Sequence, residues 1–212
     1  MLILGTVASV VTMILHPTHF SAVASTEAMT RQIRVLLALH ALALLSIPVV
    51  VFGLFGITQR TGWERPESRF AFIVYCLSTV AVMLAAMADG IINAALIPKI
   101  LSADESVRQP LKAALEYNFQ IKACAKVFAF GTSLAIISWS IAIVRAGPFE
   151  RVIGMGGFFV GVTALAGLLS GHIRMDPHGF GLIILLQAFW MAAVGVPMLR
   201  ASREKRSKSG FS

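Results

Sequence analysis

Charge is scarce in this chain. Asp, Glu, Lys and Arg make up 13% of its 212 residues against 57% apolar side chains, a ratio that excludes an ordinary soluble domain. Alternating apolar and polar positions are missing too, which excludes a transmembrane barrel. Cysteine is limited to Cys76 and Cys124. Both fall inside apolar runs with no CxxC or Cys/His spacing, so they read as inert buried thiols and carry no information on redox compartment. No Walker loop, dinucleotide-binding glycine motif, GxSxG elbow or kinase signature occurs, and nucleotide-dependent chemistry of the soluble type has no footing.

What is present is a set of runs long enough to cross the ~30 Å hydrocarbon layer, which takes roughly 20 helical residues. They predict an all-α, polytopic transmembrane bundle of six spans, at about 2–22, 33–57, 70–100, 119–144, 152–172 and 180–199. These make one six-helix domain over 1–199, followed by a basic tail over 200–212. The first run, MLILGTVASVVTMIL, reaches full length only by continuing through His16 and Pro17 to about Ala22. A cleaved signal peptide competes, because SAVAS offers a small-x-small site after Ala24, but no basic stretch precedes the apolar run. A retained helix is the expectation.

Local signals punctuate the rest. Ser25 or Thr26 is placed to cap the second helix. Pro48 should kink it, and Pro66 suits the first turn of the third. The segment SADESVRQP reads as a loop, with Pro110 opening a long helix that is amphipathic before its span begins. The fifth span carries Gly154, Gly156, Gly157, Gly161 and Gly167, a composition that lets helix backbones approach closely.

Six spans put both termini on one side. The tail and the turns holding Arg60, Arg65, Arg69, Arg145 and Arg151 give that side ten Lys/Arg against eight opposite, so both termini are assigned to the cytoplasm. The formal charge of +8 then reflects attraction to an anionic leaflet. The lipid bilayer is the expected partner, nucleic acid is not, and the expected address is a multi-pass protein of a bacterial inner membrane.

The titratable groups are not spread evenly. The topology gathers His16, His19, His40, Asp89, Asn93, Glu116, Gln120, His172, Arg174, Asp176 and His178 towards the extracytoplasmic face. The opposite half offers little beyond serine and threonine. Asp89 is the sharpest signal, since a carboxylate near the centre of a spanning helix costs about 2.5–3.5 kcal/mol on insertion scales and needs a partner. Lys126, Arg34 or a backbone donor would serve structurally.

Histidine with carboxylate suits a zinc-like divalent ion. The metal-ligand set is His16, His19, His40, His172, Asp176 and His178, with Asp89 or Glu116 as catalytic base in a membrane-embedded hydrolase. His40 and His172, from spans 2 and 5, could instead be axial haem ligands in a redox protein. Two other classes compete. One is a non-catalytic membrane subunit or assembly partner, docking through the glycine-rich fifth span or the 110–126 helix. The other is a small-solute transporter or channel, disfavoured because the polar residues do not continue through the inner half and no internal repeat relates the two sets of three spans.

This topology makes a direct prediction. A green fluorescent protein fused at the C-terminus should fluoresce, and alkaline phosphatase inserted after Ser170 should be active. The reverse pattern would invert the orientation.

Overall fold

The computed structural model describes residues 1–16, 26–116, 119–145 and 148–209. It is all-helical, with no strand among the described residues. The helices are α1 (Leu2–Ile14), α2 (Thr26–Thr61), α3 (Pro66–Ala86), α4 (Asn93–Ser102), α5 (Glu105–Glu116), α6 (Phe119–Val144), α7 (Pro148–Leu169) and α8 (Pro177–Ser209). A π-helical segment, Met87–Ile92, joins α3 to α4. Five stretches are long and apolar enough to cross a membrane: Glu27–Thr61, Pro66–Ile100, Gln120–Val144, Glu150–Leu169 and Pro177–Pro197.

The first helix differs from expectation. It stops at Ile14 after 13 residues, about 20 Å of rise, short of a full crossing. The reason lies in the sequence: Pro17 disfavours helical geometry at His16, so the chain leaves the helix just where the polar residues begin. Residues 17–25, including His19 and Ser25, lie outside the described residues.

The segment expected to be a loop is mostly helix. Only Ala103 and Asp104 separate α4 from α5, and Pro110 sits inside α5 instead of opening it. Glu105 supports this early start by accepting from Arg108 Nη1 at 3.2 Å and Gln109 Nε2 at 2.7 Å. At the other end of the chain, the helical backbone continues through Ser209 into what was expected to be a tail.

The bundle has an apolar core around Leu54, Ile57, Ile136, Trp139 and Ile183. Thr58, Ser68, Thr132, Ser133, Ser140 and Gln187 are buried with it, while Phe52, Phe159, Leu169 and Phe189 are largely exposed. Outward apolar side chains suit hydrocarbon, and inward hydroxyls bond to carbonyls or to one another. Trp139, fully buried, donates its indole N–H to Thr58 Oγ1 at 3.1 Å and stacks at an angle on Tyr75. Gln187 Nε2 donates to Thr132 Oγ1 at 2.9 Å, joining α8 to α6.

Glycine sets the closest approaches. Gly154 and Gly161 on α7 lie against the carbonyls of Ser140 and Ser133 on α6, leaving no room for a Cβ. The Gly157/Gly161 pair is thus turned inward within one chain. Gly156 faces open space.

Helix α1 lies antiparallel to α2, with Leu2 on Gly53, Gly5 on Val50, and Ser9 Oγ 3.4 Å from Ser46 Oγ. It is also antiparallel to α8, where Ile3 packs near Gly195 and Thr6 Oγ1 reaches Met191 Sδ at 4.0 Å. The α2–α3 hairpin is pinned by a Thr61–Ser68 hydroxyl contact at 2.9 Å. At that end Arg145 pairs with Glu67 at 2.8 Å and Arg60 with Glu150 at 3.6 Å. From Arg60 to His40, and from Arg69 to Asp89, is about 30 Å of helix rise, the thickness of a hydrocarbon layer.

The α1–α2 register is open to test. With Cys76 and Cys124 replaced by serine, the pair Ser9→Cys and Ser46→Cys should cross-link under mild oxidation, read as loss of maleimide-reactive thiol. Ser9→Cys with Phe52→Cys should not.

Candidate metal centre

The end of α1, the middle of α2 and the π-helical segment converge on one carboxylate. Asp89 Oδ2 lies 3.2 Å from His16 Nε2 and 3.3 Å from His40 Nε2. The two imidazoles meet edge to face, with ring centroids 5.2 Å apart and planes at 70°. One ligand-capable atom from each of the three residues lies within 4.8 Å of the others, an arrangement able to hold a metal ion. Among the described residues this is the one such group of three or more His, Cys, Asp and Glu side chains.

Two of the three members are held by a second partner. His40 Nδ1 sits 2.9 Å from the carbonyl oxygen of Leu36, one turn earlier on α2. A carbonyl only accepts, so Nδ1 carries the hydrogen. A neutral His40 then presents the lone pair of Nε2 to Asp89, and two acceptors face each other at 3.3 Å. A hydrogen on the ring or on the carboxyl, or a metal ion, joins them. Donation from the far ring nitrogen to a backbone carbonyl is also the usual way a metal-binding histidine is oriented.

Asn93 performs the same service for the carboxylate, donating Nδ2 to Asp89 Oδ1 at 3.1 Å. Oδ2 is left to the imidazoles. Asp89 and Asn93 share a face, as their spacing suggested. His16 Nδ1 is buried without a hydrogen-bond partner among the described residues.

The approach of the segments depends on Gly90. A Cβ there would collide with the Cβ and ring of His40, so any larger residue separates α2 from Asp89. The π turn matters equally. Asp89 and Gly90, adjacent in sequence, both lie within it and both meet His40 on α2. Nothing in the apolar pattern signals a π turn. A glycine directly after a carboxylate inside an apolar run was the available hint of a close approach, and Leu36, acting through its carbonyl, left no trace in the sequence at all.

The other candidates lie elsewhere. His172 is exposed in the turn after α7, its Nδ1 2.8 Å from Ser170 Oγ. Asp176 caps α8, with Oδ1 accepting from the Gly179 N–H at 2.9 Å. His178 is exposed in the first turn of α8, and Arg174 is exposed. None of them belongs to a metal-capable group among the described residues. The haem reading is unsupported: His40 is committed to Asp89 and Leu36, and His172 does not join it. Asp89 meets histidines and an amide and forms no ion pair with Lys126 or Arg34. His19 and the side chain of Glu116 lie outside the described residues.

Gly90→Ala should lower thermal stability by about 1–3 kcal/mol through overpacking and should weaken metal binding, whereas Gly156→Ala should do neither. Melting curves with metal titration of both variants make the comparison. No family model, curated protein or solved structure matches this chain, so its own geometry is what bears on function.

Proposed function

We propose that this chain is a multi-pass membrane protein that binds one divalent, zinc-like metal ion through His16 Nε2, His40 Nε2 and Asp89 Oδ2, near the extracytoplasmic face. The observation that carries the reading is the spacing of the donors. Ligand atoms about 2.0–2.1 Å from a tetrahedral ion lie about 3.3 Å apart, and the two imidazole-to-carboxylate separations are 3.2 and 3.3 Å. Orientation of His40 by Leu36 and of Asp89 by Asn93 adds the outer partners that metal sites depend on.

Three protein ligands with one position left over is the pattern of catalytic zinc; structural zinc is closed by four. The proposed activity is accordingly Lewis-acid chemistry on a ligand at that position, with polarisation of a bound oxygen as the contribution of the ion. In this reading α1 completes the bundle as a sixth, partial span, and both termini are cytoplasmic. The apolar lengths fit any membrane of ordinary thickness, so placement in a bacterial inner membrane rests on the basic residues at the cytoplasmic end.

A second reading has its own support, because 3.2–3.3 Å is also hydrogen-bonding distance. The trio then serves as a proton-sharing staple between α1, α2 and the π segment, with no metal. Elemental analysis separates the two. Protein purified without chelator should carry about one zinc or similar ion per chain, and Asp89→Asn or His40→Gln should abolish it. Asn93→Ala should weaken affinity by about 10–100-fold. Metal-free wild type that also fails to take up added zinc would leave the staple.

A further inference from the structure

The sequence of α5 divides into two faces. Val107, Pro110, Leu111 and Ala114 recur at the i, i+3, i+4, i+7 spacing that puts them on one side of the helix. Glu105, Gln109, Lys112 and Glu116 fall on the opposite side. An apolar face of this kind normally packs into a core. Here Val107 is 52% exposed and Pro110 is exposed, with Leu111 half-buried at the edge. The main neighbour of α5 is α4. Arg108 fixes the helix against it, donating to the Ala103 carbonyl at 2.8 Å and to Glu105 at 3.2 Å.

Connectivity and chemistry bracket the depth. Helix α5 joins two stretches long and apolar enough to cross a membrane, Pro66–Ile100 and Gln120–Val144, so it lies at the end of the bundle that both share. Asp104, Glu105 and Gln109 are exposed, and Pro110 has no N–H to offer the Ser106 carbonyl. Hydrocarbon tolerates neither exposed charge nor a bare carbonyl. Water, in turn, gives no stability to an outward row of Val107 and Pro110. The layer between the two meets both demands.

We propose that α5 is an in-plane helix whose Val107–Pro110 face is seated in the lipid headgroup layer, with Glu105 and Gln109 turned to water. The occupant of the face is the lipid surface itself, continuous with the membrane that receives the flanking spans. Charge takes no part: within α5, Glu105 and Glu116 balance Arg108 and Lys112. Attachment is by apolar insertion and needs no anionic lipid. The inference rests on the membrane part of the reading above and is independent of the metal.

The test uses the full chain in nanodiscs of phosphatidylcholine, which carries no net charge. Cys76 and Cys124 are replaced by serine, and one environment-sensitive fluorophore is attached at Val107→Cys, Gln109→Cys or Phe159→Cys. Phe159, largely exposed on α7, is the control on a span. Lipid with a spin label high on its acyl chain should quench the probe at position 107 at least about threefold more than that at 109. Iodide in the water should show the reverse order. Raising the salt should leave the lipid quenching unchanged.

Equal access of iodide to positions 107 and 109 would overturn the inference, as would lipid quenching that disappears at high salt. A probe at 107 shielded from both quenchers would also overturn it, because protein, a partner or a second copy, would then cover the face. In each case lipid quenching at position 159 leaves the membrane reading standing. Its absence there would remove both.

Discussion

One carboxylate inside an apolar helix constrains everything around it. Asp89 cannot be left facing hydrocarbon, where an ionised group costs several kcal/mol, and the fold answers with three nitrogen partners from three segments. Satisfying it requires α1 to stop where His16 can reach inward, α2 to pass close enough for His40, and the third span to widen into a π turn. The first follows from Pro17; the others are not favourable local choices. A glycine in mid-helix and a π turn each give up regular helical hydrogen bonding or packing, and they occur together at one place.

That clustering of local irregularity separates the trio from the other polar features. The hydroxyls of Thr58, Thr132 and Ser133 bond back to carbonyls three or four residues earlier on their own helices, which spanning helices tolerate without distortion. Asp176 spends its oxygen on the first turn of α8. The ion pairs Arg60–Glu150 and Arg145–Glu67 tie helix ends at the opposite face with partly exposed groups, where such pairs contribute little. Among the described residues, the π-helical departure from regular winding falls at Asp89.

Much of the architecture was legible because the bilayer imposes a simple length rule. Five of the six expected runs correspond to helices long enough to span, and the grouping of His16, His40 and Asp89 at one end followed from counting spans. Convergence itself was not legible. His16, His40 and Asp89 stand far apart in sequence, and periodicity says nothing about which faces of separate helices meet. His172 had equal standing with His40 on sequence grounds, yet it lies exposed against Ser170. The boundary errors have two causes. A hydropathy run measures what lipid accepts and not where hydrogen bonding ends, so α1 was drawn too long, past Pro17; a polar stretch ending in proline read as a loop, so the helix that begins at Glu105 was started at Pro110.

The site needs Gly90 and Asp89 side by side. Adjacent residues of an α-helix diverge by about 100°, and here both meet His40: Asp89 faces the imidazole and Gly90 yields space for it. The space is required because His40 is itself fixed from behind by the Leu36 carbonyl and cannot swing aside. A carboxylate paired merely for insertion could have met a flexible lysine from a distance, with no such demands on backbone geometry. Two imidazoles held against the same oxygen at 3.2 and 3.3 Å ask more of the backbone than that.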